Sequence, residues 1–243
     1  MQTYSLREKV AIVTGASRGI GRAIAMRLTA EGVFVAATAR SEEQLRQLQR
    51  DIESGGGTAH CIVADLSASS SAQHIVSQTL TRFGRLDILV NNAGIAVQAP
   101  LLETSIEQWD RLMAVNARAP FLLCKEAIPY MKTAGGGTII QIVSVIGVKG
   151  YINQGAYTAS KHALMGMSKV LAREVQADNI RIHTILPGSV ATDMIEYIRP
   201  DIKKSALMVP EEIAEIVLFL LTHRGNAVID DIHVRRASSE PWF

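Results

Sequence analysis

Several features that narrow the class of a protein are scarce in this sequence of 243 residues. It has two cysteines, Cys61 and Cys124, each among apolar neighbours, so we expect small core residues in a reducing compartment rather than a disulfide. No apolar run approaches the ~20 residues of a membrane span, and the N-terminal segment lacks a secretory hydrophobic region. The formal net charge of +2 is too small to indicate a nucleic acid or a membrane surface as partner. We therefore expect a cytoplasmic protein that binds neither.

A metal-binding pattern is also missing. The six histidines stand at positions 60, 74, 162, 183, 223 and 233. None of them shows the spacing of metal ligands, so we assign them to the core or the surface and predict no metal.

What the sequence does have is a regular alternation of short apolar, β-branched runs with longer helical patterns. Several runs are apolar on both faces, as in a parallel sheet covered by helices on both sides. The predicted strands are 10–15, 33–39, 58–64, 86–92, 137–144, 180–187 and 227–234. The predicted helices are 19–31, 41–53, 68–82, 105–133, 155–177 and 211–223. Repeated βα units with short links predict an α/β fold with a doubly wound sheet, and no linker divides residues 1–243 into domains.

The first predicted strand ends in a glycine-rich sequence, TGASRGIG. One glycine permits a tight turn, a second lets the backbone approach a pyrophosphate, and a third lets the helix pack closely on the sheet. Gly15, Gly19 and Gly21 have the spacing for these roles. The helix that begins near Gly19 would direct its free N–H groups at the phosphates. Because the loop follows a strand and opens a helix, it predicts a dinucleotide site rather than a plain turn.

The end of the second predicted strand indicates which dinucleotide binds. An NAD site usually has an acidic residue there, but this sequence has Ala39 followed by Arg40, and Arg18 lies inside the glycine loop. Two guanidinium groups without a carboxylate suit a 2′-phosphate, unless both are solvated surface residues. The sequence therefore predicts NADP(H) over NAD(H).

Five motifs follow one another along the chain: TGASRGIG, NNAG at 91–94, Ser144, Tyr157-x-x-x-Lys161 and Pro187-Gly188. Alone, the Tyr–Lys spacing is common and fits a surface pair. In this order, from about residue 6 to residue 223, the sequence resembles the short-chain dehydrogenase/reductase family, in its 3-oxoacyl-carrier-protein reductase-like group. The resemblance implies a single-domain Rossmann fold with a seven-stranded parallel sheet and an assembly that is a homodimer or a homotetramer.

The resemblance also implies four catalytic residues. Tyr157 would be the general acid for ketone reduction, or the base for alcohol oxidation. Lys161, one helical turn away, would lower the pKa of that phenol by its charge and bind the nicotinamide ribose. Ser144 would hydrogen-bond the substrate oxygen. The backbone carbonyl of Asn116 would hold a water in a proton relay; Pro120 has no N–H to occupy that carbonyl, so the helix should kink there.

The remaining cofactor contacts implied by the resemblance come from the ends of the predicted strands. Asp65 would accept a hydrogen bond from the adenine amino group, although it could also be a simple helix N-cap. Pro187 and Gly188 would flank the nicotinamide, and Thr192 would contact its carboxamide. The whole set is Gly15, Ser17, Arg18, Gly19, Ile20, Gly21, Arg40, Asp65, Leu66, Asn92, Ala93, Gly94, Tyr157, Lys161, Pro187, Gly188, Val190 and Thr192.

The substrate is less well defined by the sequence. Residues 189–208 lie where the family has a variable lid, and the pocket should also include Val145, Ile146, Tyr151 and Gln154. This mostly apolar lining fits a small or medium carbonyl compound. We expect NADPH-dependent reduction of a ketone, the 3-oxoacyl type among the options, to a secondary alcohol; the alternatives are an alcohol or polyol dehydrogenase and a non-catalytic NADP-binding sensor.

The C-terminus departs from the family pattern. Relatives usually have a glycine-rich turn after the last strand, whereas this chain ends IDDIHVRRASSEPWF. The change puts one family contact between subunits in doubt. We expect Trp242 and Phe243 to pack on a neighbouring subunit.

Overall fold

All seven predicted strands are present in one parallel sheet. The computed structural model describes residues 4–241. The strands lie in the order β3-β2-β1-β4-β5-β6-β7, and every neighbouring pair is parallel. Their bounds are β1 Val10–Thr14, β2 Phe34–Ala39, β3 Thr58–Val63, β4 Ile88–Asn91, β5 Gly137–Ile142, β6 Ile180–Pro187 and β7 Asp231–Val234. The last strand begins four residues later than expected, at Asp231.

The helices agree with the prediction except at two places. Their bounds are α1 Gly19–Ala30, α2 Glu42–Ser54, α3 Ser71–Phe83, α4 Ile106–Met113, α5 Ala119–Thr133, α6 Gly155–Val175, α7 Asp193–Ile198 and α8 Pro210–Thr222. The helix predicted over 105–133 is divided by a π-helical turn, Ala114–Arg118, just before Pro120. The short helix α7 forms inside the lid, where mixed polar and apolar residues gave no clear helical period.

Helices cover both faces of the sheet, which explains the apolar character of its strands. Every residue of the central strands β1, β4 and β5 is buried, as in a parallel sheet protected on both sides. One face packs mainly against α1 and α8, through residues such as Ile24 and Val217. The other packs against α3 and α5, through residues such as Ile75 and Leu123. Strand β7 lies at an edge of the sheet and is partly exposed.

The order of the strands determines where a ligand can bind. From β1 the chain proceeds outward to β2 and β3, then returns to place β4 on the other side of β1. The loops that follow β1 and β4 therefore leave the sheet in opposite directions and open a crevice at its carboxyl edge. In open α/β sheets this crevice is the usual ligand site.

The described part of the chain also bears on membrane insertion, metal binding and disulfide formation. Between residues 4 and 241 no helix is both long and apolar enough to cross a bilayer, and no three potential metal ligands are grouped together. Cys61 and Cys124 are free thiols. Trp242 and Phe243, predicted to pack on a neighbouring subunit, lie outside the described residues.

Candidate active site

A large cavity lies above the carboxyl ends of the strands. Its volume is about 750 Å³, and the loops after β1, β2, β3, β4, β5 and β6 contribute to its wall. Two of the predicted site residues, Gly21 and Asn116, do not line it. The predicted residues that do line it are Gly15, Ser17, Arg18, Gly19, Ile20, Arg40, Asp65, Leu66, Asn92, Ala93, Gly94, Ser144, Tyr157, Lys161, Pro187, Gly188, Val190 and Thr192.

The glycine loop, residues 15–21, has the shape of a phosphate cradle. Gly15 and Gly19 adopt φ angles of +65° and +53°, which favour glycine. A Cβ atom at Gly21 would stand 2.3 Å from the carbonyl oxygen of Gly15, so only glycine lets α1 begin this close to the loop. Helix α1 has neither a side-chain cap nor an acidic residue in its first turn. Its first N–H groups therefore remain available to an anion, and the loop fits the pyrophosphate of a dinucleotide.

The loop after β4 is held against the glycine loop by hydrogen bonds. The Thr14 hydroxyl accepts from the backbone N–H groups of Asn92 and Ala93, both at 3.0 Å. The Asn92 amide donates to the Thr14 carbonyl at 2.8 Å. A Cβ atom at Gly15 would lie 2.9 Å from the Cα of Ala93. The NNAG motif therefore forms one wall of the crevice, as the sequence predicts.

The two predicted phosphate-binding arginines are in different environments. Arg40 is exposed at the end of β2, lines the cavity, and makes no side-chain hydrogen bond to the described residues. Arg18 instead pairs with Asp193, the first residue of α7 in the lid. Arg111 of α4 also lines the cavity and was missed, because nothing in its surrounding sequence separates it from a solvated helical arginine. Of the two predicted arginines, Arg40 is therefore the one without an ion pair among the described residues, and its contact with a 2′-phosphate stays a prediction.

Asp65 lies in a local turn after β3 and is not the helix N-cap that one reading of the sequence proposed. One of its carboxylate oxygens accepts from the Ser67 N–H at 2.9 Å, which makes a local turn after β3. That hydrogen bond is the main reason for the lowered pKa of Asp65, with the charges of Arg40 and Arg111 adding to it. The N-cap position of α3 belongs to Ser70 rather than to Asp65. The contact with adenine stays a prediction.

Tyr157 and Lys161 are buried at the inner end of the cavity, so the surface-pair reading of their spacing is wrong. Their exposed fractions are 5% and 3%. Burial raises the pKa of Tyr157 to about 12, and a hydrogen bond with Ser144 acts in the opposite direction. Burial lowers the pKa of Lys161 to about 8. The Lys161 ammonium donates to the Ile142 carbonyl at 3.0 Å.

Burial determines the net direction of the Tyr157 pKa shift in this structure, and the lowering by Lys161 that the sequence predicts stays a prediction. Removing the phenolate from water costs more free energy than the hydrogen bond with Ser144 recovers. The spacing of Tyr157 and Lys161 correctly predicted that they share a helical face. It carried no information about the depth at which that face is buried.

Ser144 follows β5 in an unusual backbone conformation. Its φ angle is +115°, a region that costs about 1–3 kcal/mol for a residue other than glycine. Its hydroxyl oxygen accepts from the Ile146 N–H at 3.4 Å, and the side chain also hydrogen-bonds with Tyr157. The turn places the two hydroxyl groups side by side in the cavity.

Asn116 lies in the π-helical turn and is completely buried. Its side-chain oxygen accepts from the Ile95 N–H at 2.9 Å. Its amide nitrogen donates to the Ile95 carbonyl and to the Ser160 hydroxyl, both at 2.9 Å. Ser160 in turn donates to the Tyr157 carbonyl at 2.7 Å. The side chain therefore connects the loop after β4 to α6, which leaves only its backbone carbonyl for the predicted relay.

The pocket residues Val145, Ile146, Tyr151 and Gln154 line the cavity, as predicted. The sequence did not indicate that the chain after β7 would reach the same cavity. Arg235, Arg236, Ser239 and Glu240 all contribute to its wall.

A doubly wound sheet with a glycine cradle and a buried phenol in one crevice is the architecture of a nucleotide-dependent dehydrogenase or reductase. The model of the short chain dehydrogenase family matches residues 9–203, which is most of the chain. The chain therefore belongs to the short-chain dehydrogenase family, and the predicted family and enzyme class are confirmed.

Individual relatives cover nearly the whole chain. The 3-oxoacyl-[acyl-carrier-protein] reductase FabG of Thermotoga maritima is 33% identical over 235 residues, which are 93% of this chain and 96% of that protein. A metagenomic short-chain oxidoreductase, solved in complex with NADP, has a TM-score of 0.85 and 38% identity, covering 96% of this chain and 99% of its own. An alcohol dehydrogenase of the archaeon Thermococcus sibiricus, complexed with 5-hydroxy-NADP, has a TM-score of 0.89 and 29% identity, with coverages of 97% and 99%. These matches confirm the predicted fold.

Proposed function

We propose that this protein reduces a ketone to a secondary alcohol with NADPH, as one domain spanning 1–243 with a substrate lid near 189–208. The observation that carries the proposal is the phenol of Tyr157, buried beside Ser144 in the cavity that also contains the glycine cradle. A hydride donor and a proton donor must meet at one carbonyl group, and this cavity has room for the first and contains the second. The relatives named above act on a 3-oxoacyl substrate or were solved with NADP or its analogue.

The residues of the cradle and of the β2 end fit NADP(H). The glycine loop and the start of α1 would hold the pyrophosphate, and Arg40 would take the 2′-phosphate in a bidentate contact. Pro187, Gly188, Val190 and Thr192 line the part of the cavity where the lid begins. When bound, the reduced nicotinamide supplies a hydride to the carbonyl carbon.

The protein's own contribution is to bind and protonate the carbonyl oxygen. The Ser144 hydroxyl would donate to that oxygen as negative charge develops on it. Tyr157 would transfer its phenolic proton to the same oxygen, so that the C=O double bond becomes a C–OH bond. Because a secondary alkoxide is a stronger base than a phenolate, the transfer is downhill even from a phenol with a pKa of about 12. Lys161 would stabilise the phenolate that remains, since its ammonium lies in the same buried region.

Reprotonation of Tyr157 would follow the route implied by the family resemblance. Asn116 has Pro120 four residues later, and proline has no N–H to occupy the Asn116 carbonyl. We propose that this carbonyl holds a water that returns a proton towards Lys161 and Tyr157. The amide side chain of Asn116 would fix the position of the carbonyl through Ile95 and Ser160.

The raised pKa of Tyr157 favours reduction over the alternative reaction. Alcohol oxidation requires the phenolate as a base, and burial disfavours the phenolate near neutral pH. A protein that only bound NADP as a sensor would not require Ser144, Tyr157 and Lys161 together in one cavity. Ketone reduction is therefore the function that this site supports best.

The proposal is tested by replacing Tyr157 with phenylalanine and following NADPH oxidation against a panel of ketones. Loss of the general acid should lower kcat by about 10²- to 10⁴-fold, a much larger effect than any on NADPH binding measured by fluorescence titration. Tyr197→Phe is the matched control, because Tyr197 is exposed on α7 and does not line the cavity. An unchanged rate in Tyr157→Phe would remove the proposed acid and with it the mechanism.

The assembly and location predicted from the sequence also remain proposals. We propose a homodimer or homotetramer joined through α5 and α6, where Phe121, Tyr130 and Val170 expose apolar side chains. We propose the cytoplasm as its location, because the two free thiols suit a reducing compartment.

A further inference from the structure

The chain after β7 turns back over the cavity. Residues 235–241, here called the tail, begin where Gly188 at the end of β6 donates its N–H to the Val234 carbonyl at 2.7 Å. A Cβ atom at Gly188 would lie 3.8 Å from the Cα of Arg235. The tail therefore starts beside the residues predicted to flank the nicotinamide, and it continues along the cavity wall.

The two arginines of the tail, Arg235 and Arg236, make different contacts. Arg235 is exposed and donates to the carbonyl groups of Arg236, Ala237 and Ser239, at 3.1, 3.3 and 2.9 Å. These bonds close the tail into a compact turn. Arg236 lines the cavity and is half-buried. Its guanidinium makes no hydrogen bond with any residue from 4 to 241.

Asp201, whose pKa the charge of Arg236 helps to lower, is already engaged by another guanidinium. Arg199, at the end of α7, holds Asp201 through two parallel hydrogen bonds, both 2.8 Å long. The pKa of Asp201 is lowered mainly by its hydrogen bond with Arg199, and the charge of Arg236 adds to the lowering. Arg236 is thus close to Asp201, but both carboxylate oxygens are taken by another guanidinium. Its own donors remain available.

The rest of this wall is more cationic than acidic. Arg199 and Lys149 also line the cavity, and Tyr151 lies close enough to Arg199 to help raise the pKa of that guanidinium, after the larger effect of the Asp201 hydrogen bond. Of the three described acidic residues that line the cavity, Asp65 lies in the turn after β3, Asp193 is paired with Arg18, and Glu240 is exposed on the tail. A neutral ketone would leave the Arg236 guanidinium without a partner in a partly dry site.

We infer that Arg236 forms an anion subsite for the carboxylate of an oxo acid, so that the substrate is a ketone bearing a carboxylate group. This inference rests on the proposed ketone reduction. A planar guanidinium matches a carboxylate through two parallel hydrogen bonds, which binds the acid and orients it. Anchoring one end of the substrate at Arg236 would hold its carbonyl group towards Tyr157 and Ser144.

The test compares 2-oxo and 3-oxo acids of increasing chain length with their methyl esters, using the full-length protein and NADPH. For the chain length that the wild type prefers, kcat/KM should be about tenfold or more higher for the acid than for its ester. Arg236→Gln should lower kcat/KM for the acid by about 10- to 100-fold, mainly through KM, and should leave the ester within about twofold. Arg236→Lys keeps the positive charge but lacks the planar guanidinium group. Its kcat/KM for the acid should therefore lie between those of the wild type and Arg236→Gln.

The control variant is Arg82→Gln, which removes the same charge from an exposed site at the end of α3. It should leave kcat/KM unchanged for both the acid and the ester. An ester that equals the acid in the wild type, or an equal loss on both substrates in Arg236→Gln, would overturn the inference while ketone reduction stands. A preference for dihydroxyacetone phosphate over dihydroxyacetone, without any preference for an acid, would overturn the assignment of the subsite to a carboxylate.

A binding measurement keeps the subsite testable if the reduction fails. Calorimetric titration of 3-hydroxybutyrate into the protein saturated with NADP⁺ should show binding in the wild type and about tenfold or greater weakening in Arg236→Gln. Binding of this kind without turnover of any ketone would support the subsite and refute the proposed function. Should Arg236→Gln fail to fold, the preference of the wild type for acid over ester decides the question.

Discussion

The ammonium of Lys161 lies in a site that water scarcely reaches, and this placement should cost stability. Burial lowers its pKa from 10.5 to about 8. This shift corresponds to a free-energy cost of about 3 kcal/mol for the charged lysine in the folded protein. Below about pH 8 the lysine is protonated in both the folded and the unfolded state, so the folded protein carries the full cost. Between 8 and 10.5 the folded protein has lost a proton that the unfolded chain keeps, and its free energy of unfolding rises with pH.

Lys161→Met should therefore be inactive but more stable than the wild type at pH 7, by about 1–3 kcal/mol once the lost hydrogen bond to Ile142 is included. The difference should shrink as the pH rises from 8 to 10. Urea unfolding at several pH values up to 10 measures it, because above 10 the unfolded chain begins to ionise Tyr157 before the folded protein does. Lys169→Met, on the exposed side of α6, is the control and should show no such change. A less stable Lys161→Met at pH 7 would contradict the expected cost.

The same two groups set the expected pH dependence of the reaction. Tyr157 keeps its proton to about pH 12, whereas Lys161 loses its charge near pH 8. Ketone reduction should therefore be constant below about pH 8 and should decline above it, as the phenolate loses its stabilising cation. A profile of kcat between pH 6 and pH 10 measures this, and a rate that increased with pH would refute the role given to Lys161.

At the scale of elements, the lid is connected to the glycine loop. Arg18 of the loop pairs with Asp193 at the start of α7, and a Cβ atom at Gly19 would lie 3.0 Å from the methyl group of Thr192. If Arg18 also contacts the 2′-phosphate of NADPH, as the sequence predicts, Asp193 would compete with that phosphate for the guanidinium. The ion pair is exposed, so its own contribution to stability is small.

Asp193→Asn should free Arg18 and tighten NADPH binding by about two- to fivefold, with little change for NADH. Arg40→Ala should weaken NADPH binding by about tenfold or more and should also spare NADH. Glu196→Gln is the control on the same helix, since Glu196 pairs with Lys204 rather than with the loop. Fluorescence titration of both cofactors measures the effects. Equal changes in affinity for NADPH and NADH would show that neither arginine contacts the 2′-phosphate.

At the scale of the whole molecule, local sequence patterns predicted the sheet and the position of most site residues. Alternating apolar runs and helical periods defined the seven strands, and Pro120 indicated the interruption before α5. The glycine spacing located the cradle because backbone conformation there is a local property.

Other features depend on contacts between distant parts of the chain. The raised pKa of Tyr157 depends on how deeply several loops bury α6, which a four-residue spacing does not contain. Arg236 reaches the cavity only because β7 pairs with β6 and directs the tail towards Gly188. The pairing of Arg18 with Asp193 joins residues 175 positions apart and leaves no trace in the local sequence.

The proposed assembly can be tested on the outer faces of α5 and α6. Val170 is 57% exposed on α6, and placing a charge there should weaken any subunit contact that covers it, because an unpaired charge is costly to bury. Val170→Asp should reduce the mass measured by light scattering to that of a smaller species, with the far-ultraviolet circular dichroism unchanged. Val63→Asp is the matched control, since Val63 is 48% exposed at the end of the edge strand β3. A wild type that is monomeric, or a Val170→Asp protein of unchanged mass, would exclude α6 from the interface.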